Sequence, residues 1–246
     1  MRKFMRKRLK KGLSLVLTFI MVFNVVFSFQ MEQAHAKINV NNDKLPDGYV
    51  LVKKTDKTIA PGISETEIVT NTTKGDKQQI DYMMEVQMSK DSPTKVVASY
   101  GSNYDASSWE LATMAEQAKG YEDYMKKNGI KNETVVAAVN ADFFHMGTGE
   151  PQGALVMNGK IIKQPIDTYF CITKEGKAEI RDASQPMDDC EQAVGGGPFL
   201  VKNGEPQMIP DMVRMTRAAI GLKADGSIVT FTTHGISDQS SGHTVP

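Results

Sequence analysis

Four tight-turn dipeptides punctuate the second half of the chain, and they constrain the fold more than any other sequence feature. They are Asn158-Gly159, Glu175-Gly176, Asn203-Gly204 and Asp225-Gly226. Asn-Gly and Asp-Gly suit type I′ turns, because both central residues of such a turn need a positive φ. Short β-forming runs flank the dipeptides, so the pattern predicts four hairpins. Their strands are 154–157 with 160–162, 169–173 with 177–180, 198–201 before the Asn203 turn, and 218–222 with 227–232.

The first half predicts two further strands and one helix. Residues 66–69 favour a short strand, and residues 79–88 alternate apolar with mostly polar side chains, which indicates one buried face. A helix is predicted over 107–128, where Ser107 and Glu110 have capping-box spacing and Gly129 is placed to end it. Its apolar side chains recur at helical spacing, as in a helix that covers a sheet. The predicted class is α+β: an antiparallel-rich sheet of several hairpins with one main covering helix.

The first 36 residues have the pattern of a secretory signal peptide. Seven Lys and Arg precede an apolar run over 13–29, and Ala34-His35-Ala36 then offers small residues at the positions that a signal peptidase reads. Cleavage after Ala36 is the favoured interpretation. An uncleaved membrane anchor is the alternative, because the run approaches the length of a membrane span. We therefore expect a secreted or cell-envelope protein with a polar lead-in over 37–57 and one domain over 58–246.

Charge and cysteine content limit the classes of ligand and partner that the chain can bind. The signal region has seven of the 29 basic residues and one of the 29 acidic residues, so the remainder has 22 basic and 28 acidic residues and a net charge of −6. Such a domain has no basic surplus to neutralise phosphates, which argues against a nucleic-acid partner. Cys171 and Cys190 are too few and too far apart to suggest a zinc site. They either form a disulfide or remain two buried thiols.

The apolar run over 134–139 is typical of a buried central strand, and polar residues follow it. Asn140 and Asp142 are two residues apart, so a continuing strand would point both to the same side. Phe143 and Phe144 could form an apolar floor for a sugar ring. The alternative is a strand end with a hydrogen-bonded turn and two core phenylalanines. Asp142 with Glu150 could also help to bind a divalent cation such as calcium, although their spacing lacks the pattern of a calcium loop.

Three other features are candidate binding groups. Gly195, Gly196 and Gly197 precede a predicted strand and could bring backbone N–H groups close to an anion, or could serve a bulge or a tight strand crossing. Arg217 begins an apolar strand and could bind a phosphate with its guanidinium fork, or could pair with Asp211. His234 is a candidate acid or base, or merely an exposed side chain.

The order of these motifs resembles that of the phosphodiester glycosidase family, the bacterial relatives of N-acetylglucosamine-1-phosphodiester alpha-N-acetylglucosaminidase, the uncovering enzyme of lysosomal targeting. The resemblance extends from about residue 58 to the end of the chain. The motifs are Pro61-Gly62-Ile63, Val139-Asn140-Ala141-Asp142-Phe143-Phe144, the hairpin over 153–162, Gly196-Gly197-Pro198 before Asn203-Gly204, and Arg217-Ala218-Ala219-Ile220-Gly221 before Asp225-Gly226.

The resemblance implies an exported hydrolase that cleaves sugar-1-phosphate diesters at the glycosidic bond, in cell-envelope or exopolysaccharide metabolism. Its substrate would be a carbohydrate phosphodiester, and no cofactor is certain. Asp142 would be the carboxylate near the anomeric carbon, Asn140 a partner of a sugar hydroxyl, and Arg217 with the glycine amides a phosphate clamp. The further substrate-binding residues would be Phe143, Phe144, Gly195, Gly196, Gly197 and His234.

Two departures from the family pattern leave alternatives open. His234-Gly235 stands where the family usually has Asp-Gly, so an acidic role there is not expected. The stretch over 240–246 resembles the entry to the family's final helix, and the Asp-Gly-Gly-Gly-Ser motif expected after it is not in this sequence. A C-terminally truncated domain is therefore expected, with apolar surface and a sheet edge uncovered, poor stability and no turnover. A non-catalytic glycan-binding envelope module and an inactive fragment are the alternative functions.

Overall fold

The structure is a computed structural model that describes residue 45 and residues 48–75, 77–88, 93–104, 108–208 and 216–233. The proposed signal over 1–36, Asp211 and His234 lie outside these residues. All described residues belong to one unit, Ile38–Pro246. Within them, no helix is both long and apolar enough to cross a membrane.

Twelve strands and one helix make up the described part, so the fold is mainly β, with a smaller helical share than an α+β class implies. In chain order the elements are β1 (Tyr49–Ala60), β2 (Ile63–Thr72), β3 (Gln78–Val86), α1 (Met114–Lys127), β4 (Leu155–Met157), β5 (Lys160–Lys163), β6 (Tyr169–Thr173), β7 (Ala178–Arg181), β8 (Cys190–Gly195), β9 (Val201–Lys202), β10 (Glu205–Pro206), β11 (Ala218–Leu222) and β12 (Ile228–Thr233).

Ten of the strands form two five-stranded antiparallel sheets. The order in the first sheet is β1-β2-β3-β12-β11, and in the second sheet it is β5-β4-β8-β6-β7, while β9 and β10 form a separate ribbon. The first sheet therefore joins the chain's early strands to its last described hairpin. The second sheet lies wholly within 155–195, the part of the chain with the densest turn signals.

The predicted hairpins are confirmed, and two of them have the expected turn geometry. Asn158 and Gly159 have φ values of 51° and 71°, and Asn203 and Gly204 have 55° and 82°, so both residues of each turn adopt positive φ. In the other two turns only the glycine does so. The Asp225 carboxylate there accepts a hydrogen bond from the backbone N–H of Ser227, at 2.9 Å. In these two turns a left-handed glycine follows a residue of negative φ.

One strand was not expected. The lead-in over 37–57 was interpreted as unpacked, but β1 occupies residues 49–60 and pairs with β2 along almost its whole length. Most β1 side chains are exposed or half-buried, and Val50 and Val52 lie in solvent. Main-chain pairing forms this strand, so its side chains lack the buried alternation on which sequence prediction depends.

The two sheets enclose an apolar layer. Ile63, Val86 and Ile228 from the first sheet pack with Phe170 and Ile172 of the second sheet. The opposite face of the second sheet buries a further set that is packed together, namely Ala154, Val156, Tyr169, Cys171, Met187, Cys190 and Ala193. The second sheet is therefore apolar on both faces, as expected for a central layer.

The first sheet buries polar side chains on the face that points away from the second sheet. Gln79, Asp81 and Glu85 alternate along β3 with the apolar set that meets the second sheet, and all three are buried. The prediction of a single buried face on this strand was therefore incomplete. Gln79 donates hydrogen bonds to the Asp81 carboxylate and to the Thr233 hydroxyl, while Lys223 Nζ lies 2.7 Å from Glu85 Oε1. These partners offset the cost of burying the polar groups.

The helix is shorter than predicted and begins later. Thr113 is the N-cap: its hydroxyl accepts from the Glu116 N–H at 3.2 Å, and the Glu116 carboxylate accepts from the Thr113 N–H at 2.7 Å. The expected capping residue Ser107 lies outside the described residues, and Glu110 instead accepts hydrogen bonds from Ser102. The predicted end is confirmed, because Gly129 follows the helix with φ 68°.

The helix covers one end of the second sheet. Tyr121 and Tyr124 pack on Tyr104 with ring centroids 4.7 Å away in each case. Their cluster also contains Leu155 and Met157 of β4. The apolar side chains near the helix start, Leu111 and Met114, are exposed. The expected covering role is confirmed for the second half of the helix only.

The predicted central strand over 134–139 is not present. These residues have no regular secondary structure, and apart from the half-buried Val135 and Val139 they are exposed. An apolar run becomes a strand only where a neighbouring strand pairs with its backbone, and no strand in the described part of the chain does so here. The polar residues that follow therefore lie on a loop, and not at the end of a buried strand.

Candidate functional site

The Asp142 carboxylate is held by two backbone N–H groups. Its Oδ1 accepts from the Phe143 N–H at 2.7 Å, and its Oδ2 accepts from the Gly153 N–H. The side chain is half-buried. Each carboxylate oxygen retains a further lone pair, so Asp142 is fixed in position and can still accept another hydrogen bond.

Two glycines make this position possible. A Cβ on Gly153 would lie 2.8 Å from Asp142 Oδ2, and a Cβ on Gly195 would overlap the same oxygen. Gly153 precedes β4 and Gly195 ends β8, and these adjacent antiparallel strands are held together here by a 2.8 Å hydrogen bond from the Gly195 N–H to the Ala154 carbonyl. The second sheet thus forms a side-chain-free seat for the Asp142 carboxylate.

Burial is the main influence on the ionisation of Asp142. It raises the pKa of the carboxyl above its usual value, because the charged form loses hydration. The two backbone hydrogen bonds and the positive charge of Lys163 act in the opposite direction, and burial outweighs them. Asp142 is therefore a stronger base than an exposed aspartate once it is ionised.

A second carboxylate lies close by and has a cationic partner. Lys163 Nζ is 2.6 Å from Glu150 Oε1, and both side chains are partly exposed. This hydrogen bond is the largest cause that lowers the pKa of Glu150. Asp142 and Glu150 are thus shifted in opposite directions, and Lys163 lowers the pKa of both.

A cleft of about 410 Å³ lies beside this pair. Three of its residues are His145, Gln152 and Lys163, and the loop after β5 completes it with Gln164, Pro165 and Ile166. Gln152 directly precedes Gly153, and its N–H donates to the Phe143 carbonyl at 2.8 Å. The cleft therefore borders the segment that holds Asp142.

Exposed apolar side chains surround the same region. Phe143 is 68% exposed and Phe144 is 41% exposed, so neither is a core phenylalanine. Met146 and Ile166 are exposed as well. A Cβ on Gly197 would lie 4.0 Å from Phe143 Cε2, which places this ring beside the glycine run. Clustered exposed apolar groups are typical of a surface that binds a ligand.

The glycine run is near Asp142, but two of its amides already have partners. The Gly195 N–H donates to the Ala154 carbonyl, and the Gly196 N–H donates to the Thr168 carbonyl at 2.9 Å. Thr168 also donates its hydroxyl to the Gly197 carbonyl. The main visible use of these glycines is close strand packing and room for Asp142, which was the alternative interpretation of the run.

The structure does not bring Arg217 to Asp142, and His234 lies outside the described residues. Arg217 precedes β11, and its carbonyl accepts from the Thr233 N–H at 2.9 Å. The register of β11 and β12 places it on the polar outer face of the first sheet, with Thr233 and Asp81. Asn140 is exposed on the loop. The roles suggested for Arg217, Asn140 and His234 stay predictions.

The predicted cation site has a different arrangement. Glu150 binds the ammonium of Lys163, and the described residues contain no group of three or more His, Cys, Asp or Glu placed to hold a metal ion. A role for calcium therefore stays a prediction.

Sequence reasoning missed Lys163, Gln152 and His145. No local pattern marks them, because they meet only when β5 and the loop over 145–152 come together. Gly153 had a usable signal: it is the first residue of the hairpin whose turn is Asn158-Gly159. A glycine at the start of a short buried strand indicates close approach by another group.

Of the two alternatives for the cysteines, a disulfide or two buried thiols, the structure has the buried thiols. Cys171 and Cys190 are both fully buried and are not joined by a disulfide, although they lie on adjacent strands β6 and β8. Burial raises the pKa of Cys171 to about 12. These thiols behave as small apolar core groups.

Comparisons with known proteins concern the family and the fold of the chain. Residues 133–246 match the family model NAGPA, described as phosphodiester glycosidase. The structure is similar to that of the catalytic domain of zebrafish N-acetylglucosamine-1-phosphodiester alpha-N-acetylglucosaminidase, auto-inhibited by its pro-peptide. The TM-score is 0.55 and the identity 15%, over 87% of this chain and 77% of that chain, so the likeness concerns the fold. No curated protein matches the chain significantly.

Proposed function

Residues 133–246 match the phosphodiester glycosidase family model, and from this match we propose that the chain hydrolyses the sugar–phosphate bond of a sugar-1-phosphodiester. The observation that carries the proposal is the position of Asp142. It lies within the matched segment, is fixed by two backbone N–H groups and is seated against Gly153 and Gly195 beside an open cleft.

The proposed reaction breaks the bond between the anomeric carbon and the bridging phosphate oxygen. A water molecule supplies the oxygen that becomes the sugar's anomeric hydroxyl, and the phosphate leaves as a monoester. Positive charge develops at the anomeric carbon, so a carboxylate nearby stabilises the transition state. Asp142 would supply that carboxylate. Its raised pKa would also make it a suitable acceptor for the proton of the attacking water.

The surrounding groups would bind the sugar. Phe143 and Phe144 present exposed rings, on which the apolar face of a sugar could lie. Asn140 is exposed near the start of the same loop and would bond a sugar hydroxyl. These assignments rest on exposure and on position in the loop.

We propose that the protein acts outside the cytoplasm, as a secreted or envelope hydrolase. The basic start, the apolar run over 13–29 and Ala34-His35-Ala36 support this proposal. N-terminal sequencing of protein recovered from the culture medium and from the membrane fraction would test it. A mature start at Lys37 is expected, whereas accumulation of the full chain in the cytoplasm would contradict export.

The experiment that tests the reaction is hydrolysis of a panel of hexose-1-phosphodiesters in water enriched with oxygen-18. The label is expected in the released sugar and not in the phosphomonoester, because the carbon–oxygen bond is the one that breaks. The Asp142→Asn variant should be at least about 100-fold slower, the usual size of a lost acid–base group. Asp188→Asn, at an exposed position in the turn before β8, is the matched control and should retain the wild-type rate.

Label in the phosphate would identify a phosphodiesterase and overturn the proposal. An unchanged rate in Asp142→Asn would remove Asp142 from the mechanism. Glycan retention without any product would instead favour a binding module, which the exposed Phe143 and Phe144 rings also suit.

A further inference from the structure

A phosphodiester substrate needs a cationic partner near its phosphate. Arg217 was the sequence candidate, but it lies on the outer face of the first sheet. The amides of Gly195 and Gly196 donate to protein carbonyls. A different group beside Asp142 must therefore receive the anion if the proposed reaction takes place there.

Lys163 is the cation that lines the cleft. It is the last residue of β5, pairs with Leu155 of β4, and has a side chain that is largely buried but reaches the cleft. Its charge is also felt by Asp142. Leu155, the pairing partner of Lys163, comes two residues after Gly153, whose N–H binds Asp142, so Lys163 and Asp142 lie at the same end of the hairpin of β4 and β5.

The ion pair with Glu150 orients this ammonium without using all its donors. A lysine ammonium has three N–H groups. Within the described part of the chain its hydrogen bond goes to Glu150 Oε1, at 2.6 Å, which leaves donors for a ligand. Protein kinases use a lysine in the same way, held by a glutamate while it contacts nucleotide phosphates.

The backbone holds Glu150 rigidly. The His145 N–H donates to the Glu150 carbonyl at 2.9 Å, and the N–H groups of Thr148 and Gly149 both donate to the His145 carbonyl. Gly149 has φ 76°, and a Cβ there would overlap the backbone carbonyl of Glu110. The loop over 145–150 is therefore closed on itself and pressed against a second segment.

The rest of the cleft suits a phosphodiester. Gln152, Gln164 and His145 have N–H groups that can donate hydrogen bonds to phosphate oxygens. Pro165 and Ile166 add an apolar wall on which the second ester group could pack.

We propose that Lys163, positioned by Glu150, binds the phosphate of the substrate in the cleft beside Asp142. This inference rests on the proposed function, and it assigns the anion site to a residue 54 positions before Arg217 in the sequence. Lys163 is a substrate-binding residue and Glu150 is its positioning residue.

The first test uses inorganic phosphate as the probe. Its binding to the full chain is measured by calorimetry, and its competitive inhibition by steady-state kinetics. Lys163→Met should raise KM and weaken phosphate binding by about 10- to 100-fold, the size expected for one charge-assisted hydrogen bond. Lys163→Arg should retain most of the binding. Lys160→Met, at an exposed position of the same strand, is the control and should behave as wild type.

Two further measurements separate binding from structure. Circular dichroism should show the same thermal transition in Lys163→Met and Lys160→Met. The acid limb of the pH–rate profile should move to higher pH in Lys163→Met, because loss of the positive charge raises the pKa of Asp142 further. Glu150→Gln should raise KM with little change in kcat, since only the orientation of Lys163 is lost.

The outcomes distinguish this inference from the proposed function. Hydrolysis with unchanged KM and phosphate binding in Lys163→Met would overturn the inference and leave the reaction standing. Phosphate binding that depends on Lys163, in a chain that hydrolyses no diester, would support the anion site and overturn the reaction.

Discussion

The two sheets bury carboxylates in different ways, and the difference separates a structural group from a reactive one. Glu85 in the first sheet is enclosed, and its side chain, 4% exposed, is paired with the ammonium of Lys223. Asp142 beside the second sheet is half-buried, accepts hydrogen bonds from the backbone N–H groups of Phe143 and Gly153, and lies beside a segment that borders an open cleft. Burial is common to both carboxylates. The neighbouring backbone and the access from solvent distinguish them.

The two sheets also differ in what their glycines do. In the second sheet Gly153 and Gly195 exclude side chains from the place that the Asp142 carboxylate occupies. In the first sheet, Gly221 on β11 has open space where a Cβ would be. Glycine is therefore required by packing at one site and is replaceable at the other.

The largest expected effect comes from adding a side chain at Gly195, in the space that the Asp142 carboxylate occupies. In Gly195→Ala the new Cβ would displace the carboxylate, and a displacement of about 1 Å is enough for a roughly 100-fold loss of activity. The rate of sugar release, measured beside Gly221→Ala, checks this expectation. Full activity in Gly195→Ala would show that the seat does not position the reacting group.

The second prediction concerns the structural carboxylate. Lys223→Met leaves the Glu85 carboxylate buried without its ammonium, and this should lower the free energy of unfolding by about 2 kcal/mol, less than for a fully enclosed pair because Lys223 is 45% exposed. Lys53→Met is the control, since its pair with Glu67 is at the surface and should contribute at most about 1 kcal/mol. Denaturant unfolding compares the two. Equal losses of unfolding free energy in the two variants would mean that burial does not distinguish the two ion pairs.

A third prediction concerns pH. Arg181 lowers the pKa of Asp189 from its usual value to about 2. The folded pKa is below the unfolded one, so the stabilisation is complete above about pH 4 and is lost as pH falls towards about 2. Thermal melts of the wild type and of Asp189→Asn should therefore converge in acid. A constant difference from pH 5 to pH 2 would contradict this linkage.

The fourth prediction has the smallest expected effect and concerns chemical modification of the two cysteines. Both thiols are buried and the pKa of Cys171 is raised to about 12, so an aromatic disulfide reagent at neutral pH should modify neither cysteine in the folded chain. In denaturant without reductant, both should react. Failure to react after unfolding would indicate a disulfide between Cys171 and Cys190.

The features predicted correctly are those that neighbouring residues determine. The Asn158-Gly159 and Asn203-Gly204 turns follow from a local need for positive φ, and the strands beside them follow with the turns. Gly129 ends the helix for the same local reason. Asp142 was chosen from a local sequence pattern, and its catalytic role stays a prediction.

The features missed depend on distant partners. β1 exists because β2 pairs with it, and the run over 134–139 is not a strand because no described strand pairs with it. The buried polar face of β3 depends on Thr233 and Lys223, which are far along the chain. Lys163 meets Glu150 only after the hairpin of β4 and β5 has formed.

The contact between Gly149 and the Glu110 backbone has a mechanical consequence. Glu110 also accepts hydrogen bonds from Ser102, and it is three residues before the N-cap Thr113. The entrance to the helix and the turn that carries Glu150 are therefore coupled. A small shift of the chain before the helix would displace Gly149, and Glu150 follows Gly149 directly. Because Glu150 orients the ammonium of Lys163, the affinity of Lys163 for an anion would then depend on how tightly α1 packs against the sheet.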